Sequence, residues 1–132
     1  MKVRDIVATL DGTLLAGEDL LDMEILAACG ADLMSDVMAF AKEHVALLTG
    51  LTNPQSIRTA DLMDIRLVVF VRGKVPTSDM IAEAREKGMA LVATRYSMFH
   101  ACGRLYEEGI RGSTLKDKDA QAPVASSGTA SV

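Results

Sequence analysis

Leu67-Val68-Val69-Phe70-Val71-Arg72-Gly73 decides the fold of this chain. Its five apolar residues are unbroken, and Val and Phe suit a pleated, packed surface better than a helix. A strand with one face in water alternates apolar and polar side chains. An uninterrupted run belongs to a strand covered on both faces. Two shorter runs repeat the pattern, Val45-Ala46-Leu47-Leu48-Thr49 closed by Gly50, and Ala90-Leu91-Val92-Ala93-Thr94.

The stretches between these runs read as helices. Asn53 is placed to cap a helix with Pro54 in its first turn, where a missing N–H costs nothing. Ile57, Ala60 and Met63 follow on or near one face. Thr77 caps a second helix carrying Met80, Ile81 and Ala84, and Lys87-Gly88 supplies its end signal. Ser97 caps a third, with Met98, Cys102 and Leu105 on one stripe and Gly109 as its stop. Strands alternating with helices of this length predict parallel pairing through βαβ crossovers. The expected architecture is therefore α/β, a three-layer single domain whose central, mostly parallel sheet has helices on both faces.

Toward the N-terminus the pattern is looser. Val3 to Leu10 reads as a short helix with Val3, Ile6, Val7 and Leu10 as its apolar positions. Asp11-Gly12 turns into a strand over Thr13-Leu14-Leu15-Ala16-Gly17. Met23 to Cys29 is a further strand candidate, and Ser35 is expected to open a helix containing Val37, Met38, Phe40 and Ala41. From Ser113 onward small and polar residues dominate without a periodic apolar face, so ordering them would not be repaid by burial. Residues 1–112 are read as the domain and 113–132 as a flexible C-terminal tail.

Composition bounds the function. Of 132 residues, 49% are hydrophobic, enough for a core that needs no metal or disulfide. Trp is absent and Met numbers eight, so aliphatic residues and adaptable Met must fill that core. The net charge of −4 comes without a basic stripe, which argues against a nucleic-acid partner. No apolar run approaches the length of a membrane span, and the opening Met-Lys-Val-Arg-Asp lacks a signal core, so a cytoplasmic protein with no membrane partner is expected. Cys29 and Cys102 lie far apart and outside any CxxC pair, so they read first as small buried hydrophobes, with a disulfide or redox switch as the alternative.

Catalytic patterns are missing. Leu10-Asp11-Gly12-Thr13-Leu14 looks like the opening motif of haloacid-dehalogenase-type phosphatases, but Thr9 stands where the nucleophilic Asp belongs. A phosphoaspartate cannot form there, and an Asp-Gly turn accounts for the residues. No P-loop, GxGxxG, GxSxG or HExxH pattern occurs. His44 and His100 have no nucleophile or orienting acid placed with them in sequence. Neither a cofactor, a metal nor an enzymatic activity is expected.

What remains is a geometric site. Ligands of open parallel sheets bind beyond the carboxyl ends of the strands. That edge should collect Thr49, Gly50, Thr52 and Asn53, then Arg72 and Lys74, then Thr94, Arg95 and Ser97. Amides at helix starts, with three cations nearby, suit a phosphate or carboxylate. The alternative is that these residues are the ordinary caps and loops of any such sheet.

The chain as a whole resembles the DRTGG domain, a regulatory module found beside CBS domains in some pyrophosphatases. The resemblance covers about residues 2–110. It rests on Met1-Lys2-Val3-Arg4-Asp5-Ile6, Thr13-Leu14-Leu15-Ala16-Gly17, and Gly30-Ala31-Asp32-Leu33-Met34-Ser35-Asp36-Val37-Met38-Ala39. It continues through Leu67 to Pro76 and Gly88 to Thr94. The naming string is replaced here by Thr49-Gly50-Leu51-Thr52-Asn53-Pro54-Gln55. A similar fold is known in the N-terminal domain of HPr kinase, whose P-loop this chain lacks. The resemblance implies a twofold homodimer and a regulatory or ligand-sensing role, with a small anionic ligand or nucleotide as partner. A protein–protein interaction or scaffold domain, with a protein partner and no small ligand, is the alternative.

Overall fold

The computed structural model describes residues 1–38 and 44–112. A six-stranded sheet runs in the order β1-β5-β4-β3-β2-β6, with strands β1 (Thr13–Ala16), β2 (Ala27–Gly30), β3 (Val45–Thr49), β4 (Leu67–Phe70), β5 (Ala90–Ala93) and β6 (Arg111–Gly112). Every pairing is parallel except that of β1 with β5, so the sheet is mostly parallel, as the apolar runs predict. All five residues of β3 and all four of β4 are buried. The period of two divides them between two cores. Leu47, Val68, Phe70 and Leu91 face one way with Ile57 and Ala60 of α3 (Pro54–Leu62) and Met80 and Ala84 of α4 (Ser78–Glu86). Leu48, Leu67, Val69 and Val92 face the other way, against Val3 and Ile6 of α1 (Val3–Thr9) and Ala101 and Leu105 of α5 (Met98–Glu107).

The caps act as their residue types dictate. Asn53, Thr77 and Ser97 accept from the backbone N–H groups of Gln55, Met80 and His100 at 2.9, 3.2 and 3.1 Å. Four methionines, Met34, Met63, Met80 and Met89, fill the core under α3 and α4 rather than forming a contact surface.

Two expectations need correction. The strand expected over Met23 to Cys29 begins only at Ala27 and runs to Gly30. Upstream of it, Glu24 pairs with Lys2 and the Ile25 N–H bonds the Met1 carbonyl, so that stretch is held by the start of the chain. The helix expected to open at Ser35 is the short α2 (Met34–Val37), capped by Leu33. Leu33 offers no side-chain oxygen, and the expected Ser cap falls inside the first turn. Phe40 and Ala41, like the tail from 113 to 132, lie outside the described residues.

Candidate functional site

The carboxyl ends of β3, β4 and β5 open at one edge of the sheet, where the loops leading to α3, α4 and α5 meet. The Val71 N–H donates to the Thr49 carbonyl at 3.0 Å, the Arg72 N–H to Tyr96 at 2.8 Å and the Gly73 N–H to Thr94 at 3.0 Å. The three expected loops are thus bonded to one another. Beside β5 they leave a cleft of about 330 Å³ lined by Asp11, Thr13, Gly73, Val75, Ala93, Thr94, Arg95 and Tyr96. Thr94 and Arg95 of the expected set line this cleft. Thr49, Gly50, Thr52, Asn53, Arg72, Lys74 and Ser97 do not.

Much of the polar capacity at this edge is spent inside the chain. The buried Thr94 hydroxyl donates to the Leu10 carbonyl at 2.7 Å and accepts from the Tyr96 N–H at 3.1 Å. It thereby closes the end of α1 onto β5. Asn53 and Ser97 are occupied as caps. Thr49 accepts from the Leu51 N–H at 3.1 Å. The Lys74 N–H bonds the Val71 carbonyl at 3.1 Å. Thr52 is half-buried in the loop before α3.

The side-chain charges differ in their availability. Arg72 lies 3.7 Å from Asp32, half exposed. Arg95 and Lys74 are exposed, and among the described residues neither has an acidic partner within ion-pair distance. Asp11 is the one acid lining the cleft; it holds a left-handed φ of 49° in the Asp-Gly turn that the sequence indicates. Neither Asp11 nor Tyr96 belongs to the expected set, although Tyr96 lies in the expected loop between Arg95 and Ser97. Tyr96 comes with the expected loop after β5, whereas Asp11 reaches the cleft through the pairing of β1 with β5, a contact across 78 positions that local spacing cannot reveal.

The remaining singled-out residues sit elsewhere. His100 is exposed on α5 and stacks on Tyr96, ring centres 4.0 Å apart. His44 holds a φ of 56° just before β3, with Nδ1 3.1 Å from the Glu24 carbonyl. Cys29 and Cys102 are free thiols on opposite faces of the sheet, beside a second cleft of about 160 Å³ next to β2 and β6. Burial pushes the Cys29 thiol up to about 11, with Cys102 adding to the shift, and burial also raises Cys102. Neither thiol has the lowered pKa that marks a reactive cysteine. Among the described residues no cluster of three or more His, Cys, Asp or Glu is placed to hold a metal, and no helix is long and apolar enough to cross a membrane.

The chain is similar to the CBS and DRTGG domains of the regulatory region of Clostridium perfringens pyrophosphatase, solved in complex with its activator, diadenosine tetraphosphate. The TM-score is 0.64 at 16% sequence identity. The two share a fold. The match covers 88% of this chain and 51% of the other, so the chain spans about half the length of that neighbour. No protein-family model matches the chain. No curated protein matches it either.

Proposed function

We propose that this chain is a non-enzymatic regulatory module of the DRTGG type, which senses a small anionic ligand, foremost a nucleotide, at the carboxyl edge of its sheet. One observation carries the reading: Arg95 and Lys74, two exposed cations without acidic partners among the described residues, stand at the edge whose cleft has room for a small ligand. The solved neighbour belongs to a regulatory region and holds a nucleotide activator, which supports the ligand class. Arg95 is the leading contact, because a guanidinium meets a phosphate through two parallel hydrogen bonds.

The test begins with a thermal-shift screen of nucleotides and phosphorylated metabolites, since a ligand bound only by the native state raises the midpoint. Arg95→Ala should then weaken a phosphate-bearing hit by about 1.5–3 kcal/mol, typical of a charged hydrogen bond. That is roughly a ten- to hundredfold rise in Kd by calorimetry. The melting temperature of the free variant should stay unchanged, because Arg95 is exposed. Unaltered affinity would place the site elsewhere.

Association as a twofold homodimer belongs to the same proposal. It rests on the DRTGG resemblance and on twofold symmetry being the commonest arrangement of homo-oligomers. Sedimentation equilibrium should return twice the chain mass at micromolar concentration, and a monomer at high micromolar concentration would remove this part. The second reading, an interaction domain without a small ligand, has its own observation. Phe99 is 89% exposed on α5, with Tyr106 two turns along the same helix also exposed. A screen without a single thermal shift would favour it.

A further inference from the structure

At the end of β3, three donors converge on one carboxylate of the chain itself. Asp32 Oδ1 accepts from the Gly50 N–H at 2.7 Å and from the Thr49 hydroxyl at 3.2 Å, and its Oδ2 lies 3.7 Å from Arg72 Nη2. A backbone N–H, a hydroxyl and a guanidinium are the donors by which proteins hold phosphate. The cradle is built at some cost. Arg72 adopts a left-handed φ of 62°, an uncommon conformation for a residue with a side chain. Its guanidinium crosses Gly50 so closely that a Cβ there would collide with it. A glycine and a strained arginine together shape this cradle.

We propose that Asp32 is a built-in placeholder for an anionic group of the ligand, which displaces it from the cradle. This rests on the reading that a ligand binds at this edge, and it narrows the ligand class. The cradle stands at the end of β3 and the Arg95 cleft at the end of β5. Two strand spacings separate them, about 10 Å, and Arg72 on the loop after β4 lies between. The ligand therefore carries two anionic groups about that far apart, as a linear oligophosphate does, one against Arg95 and one in the cradle. Asp32 and Arg72 are both half exposed, so water screens their attraction and a more highly charged phosphate replaces the carboxylate readily. Asp32 lies just beyond the last strand-like bond of β2, from the Ala31 N–H to the Leu48 carbonyl, so the side chain can leave without breaking the sheet.

The experiment uses the full chain with inorganic pentapolyphosphate, long enough to reach from the Arg95 cleft to the cradle, and orthophosphate as probes, read by calorimetry. Asp32→Ala should bind pentapolyphosphate about tenfold more tightly than the unaltered chain. Asp32→Asn, which keeps the shape and the acceptor but not the charge, should show a smaller gain in the same direction. It also guards against a folding defect in the alanine variant. Adding Arg72→Ala should abolish the gain. Affinity equal to or below that of the unaltered chain in both Asp32 variants would overturn the proposal. Pentapolyphosphate binding Asp32→Ala no more tightly than orthophosphate does would overturn the two-group ligand. The broader reading is judged separately, by the effect of Arg95→Ala on the unaltered chain.

Discussion

Phe70→Ala should cost about 3–5 kcal/mol of folding stability, the range for truncating a buried Phe. Phe70 closes the central strand β4, is fully buried, and packs on the face covered by α3 and α4. It is paired across to Thr49 on one side and Ala93 on the other, so neither neighbouring strand can move in to fill the space. Four methionines share its core and can bend partly into the void, which places the expected cost toward the lower end of the range. At about 4 °C per kcal/mol for a domain of this size, the midpoint should fall by roughly 10–20 °C. Thermal unfolding followed by circular dichroism reads this directly. A fall of only a few degrees would mean that the β4 core is looser than its burial implies.

The second large effect is expected at Gly17, which ends β1 with a φ of 92°. A Cβ added there would sit 2.6 Å from the Ala90 Cα and 2.7 Å from its Cβ. The obstacle is the backbone of β5, not the tip of a flexible side chain. Gly17→Ala combines left-handed strain of about 1–2 kcal/mol with overpacking of about 1–3 kcal/mol. Gly73→Ala is the control, since its φ of 72° brings the strain but nothing lies within 4 Å of its Cβ. Urea unfolding should show a loss of about 2–5 kcal/mol for Gly17→Ala and no more than half of that for Gly73→Ala. Equal losses would show that contact with Ala90 contributes nothing.

What could be read from the sequence follows the range of the interactions concerned. The strands at 45–49, 67–70 and 90–93 and the caps Asn53, Thr77 and Ser97 depend on residues within a few positions of one another, and the structure has them. The direction of β1 depends on β5, far along the chain, and no local pattern encodes it. Met23 to Leu26 belongs to the stretch expected as strand, but it lies outside the sheet. Ile25 is indeed buried, but its backbone partner is Met1 rather than the sheet. At the candidate site the sequence located the loops but not the state of their donors. Asp32 sits 18 positions before Gly50, and nothing in that spacing indicates that its carboxylate occupies the Gly50 amide. An acid two residues past the end of β2 is the one signal that could have raised the question.

The placement of β1 beside β5 also has a kinetic meaning. Leu47 meets Val68 after 21 positions, and Val69 meets Val92 after 23, whereas Leu14 must wait for Val92 across 78. The longer loop is nearly two doublings larger, which adds about 1.2 kcal/mol of closure entropy. Loop closure therefore favours early pairing of β3, β4 and β5 and late joining of the N-terminal segment. Until it joins, the outer edge of β5 presents unpaired backbone groups to its surroundings, the kind of edge on which refolding chains pair with the wrong neighbour.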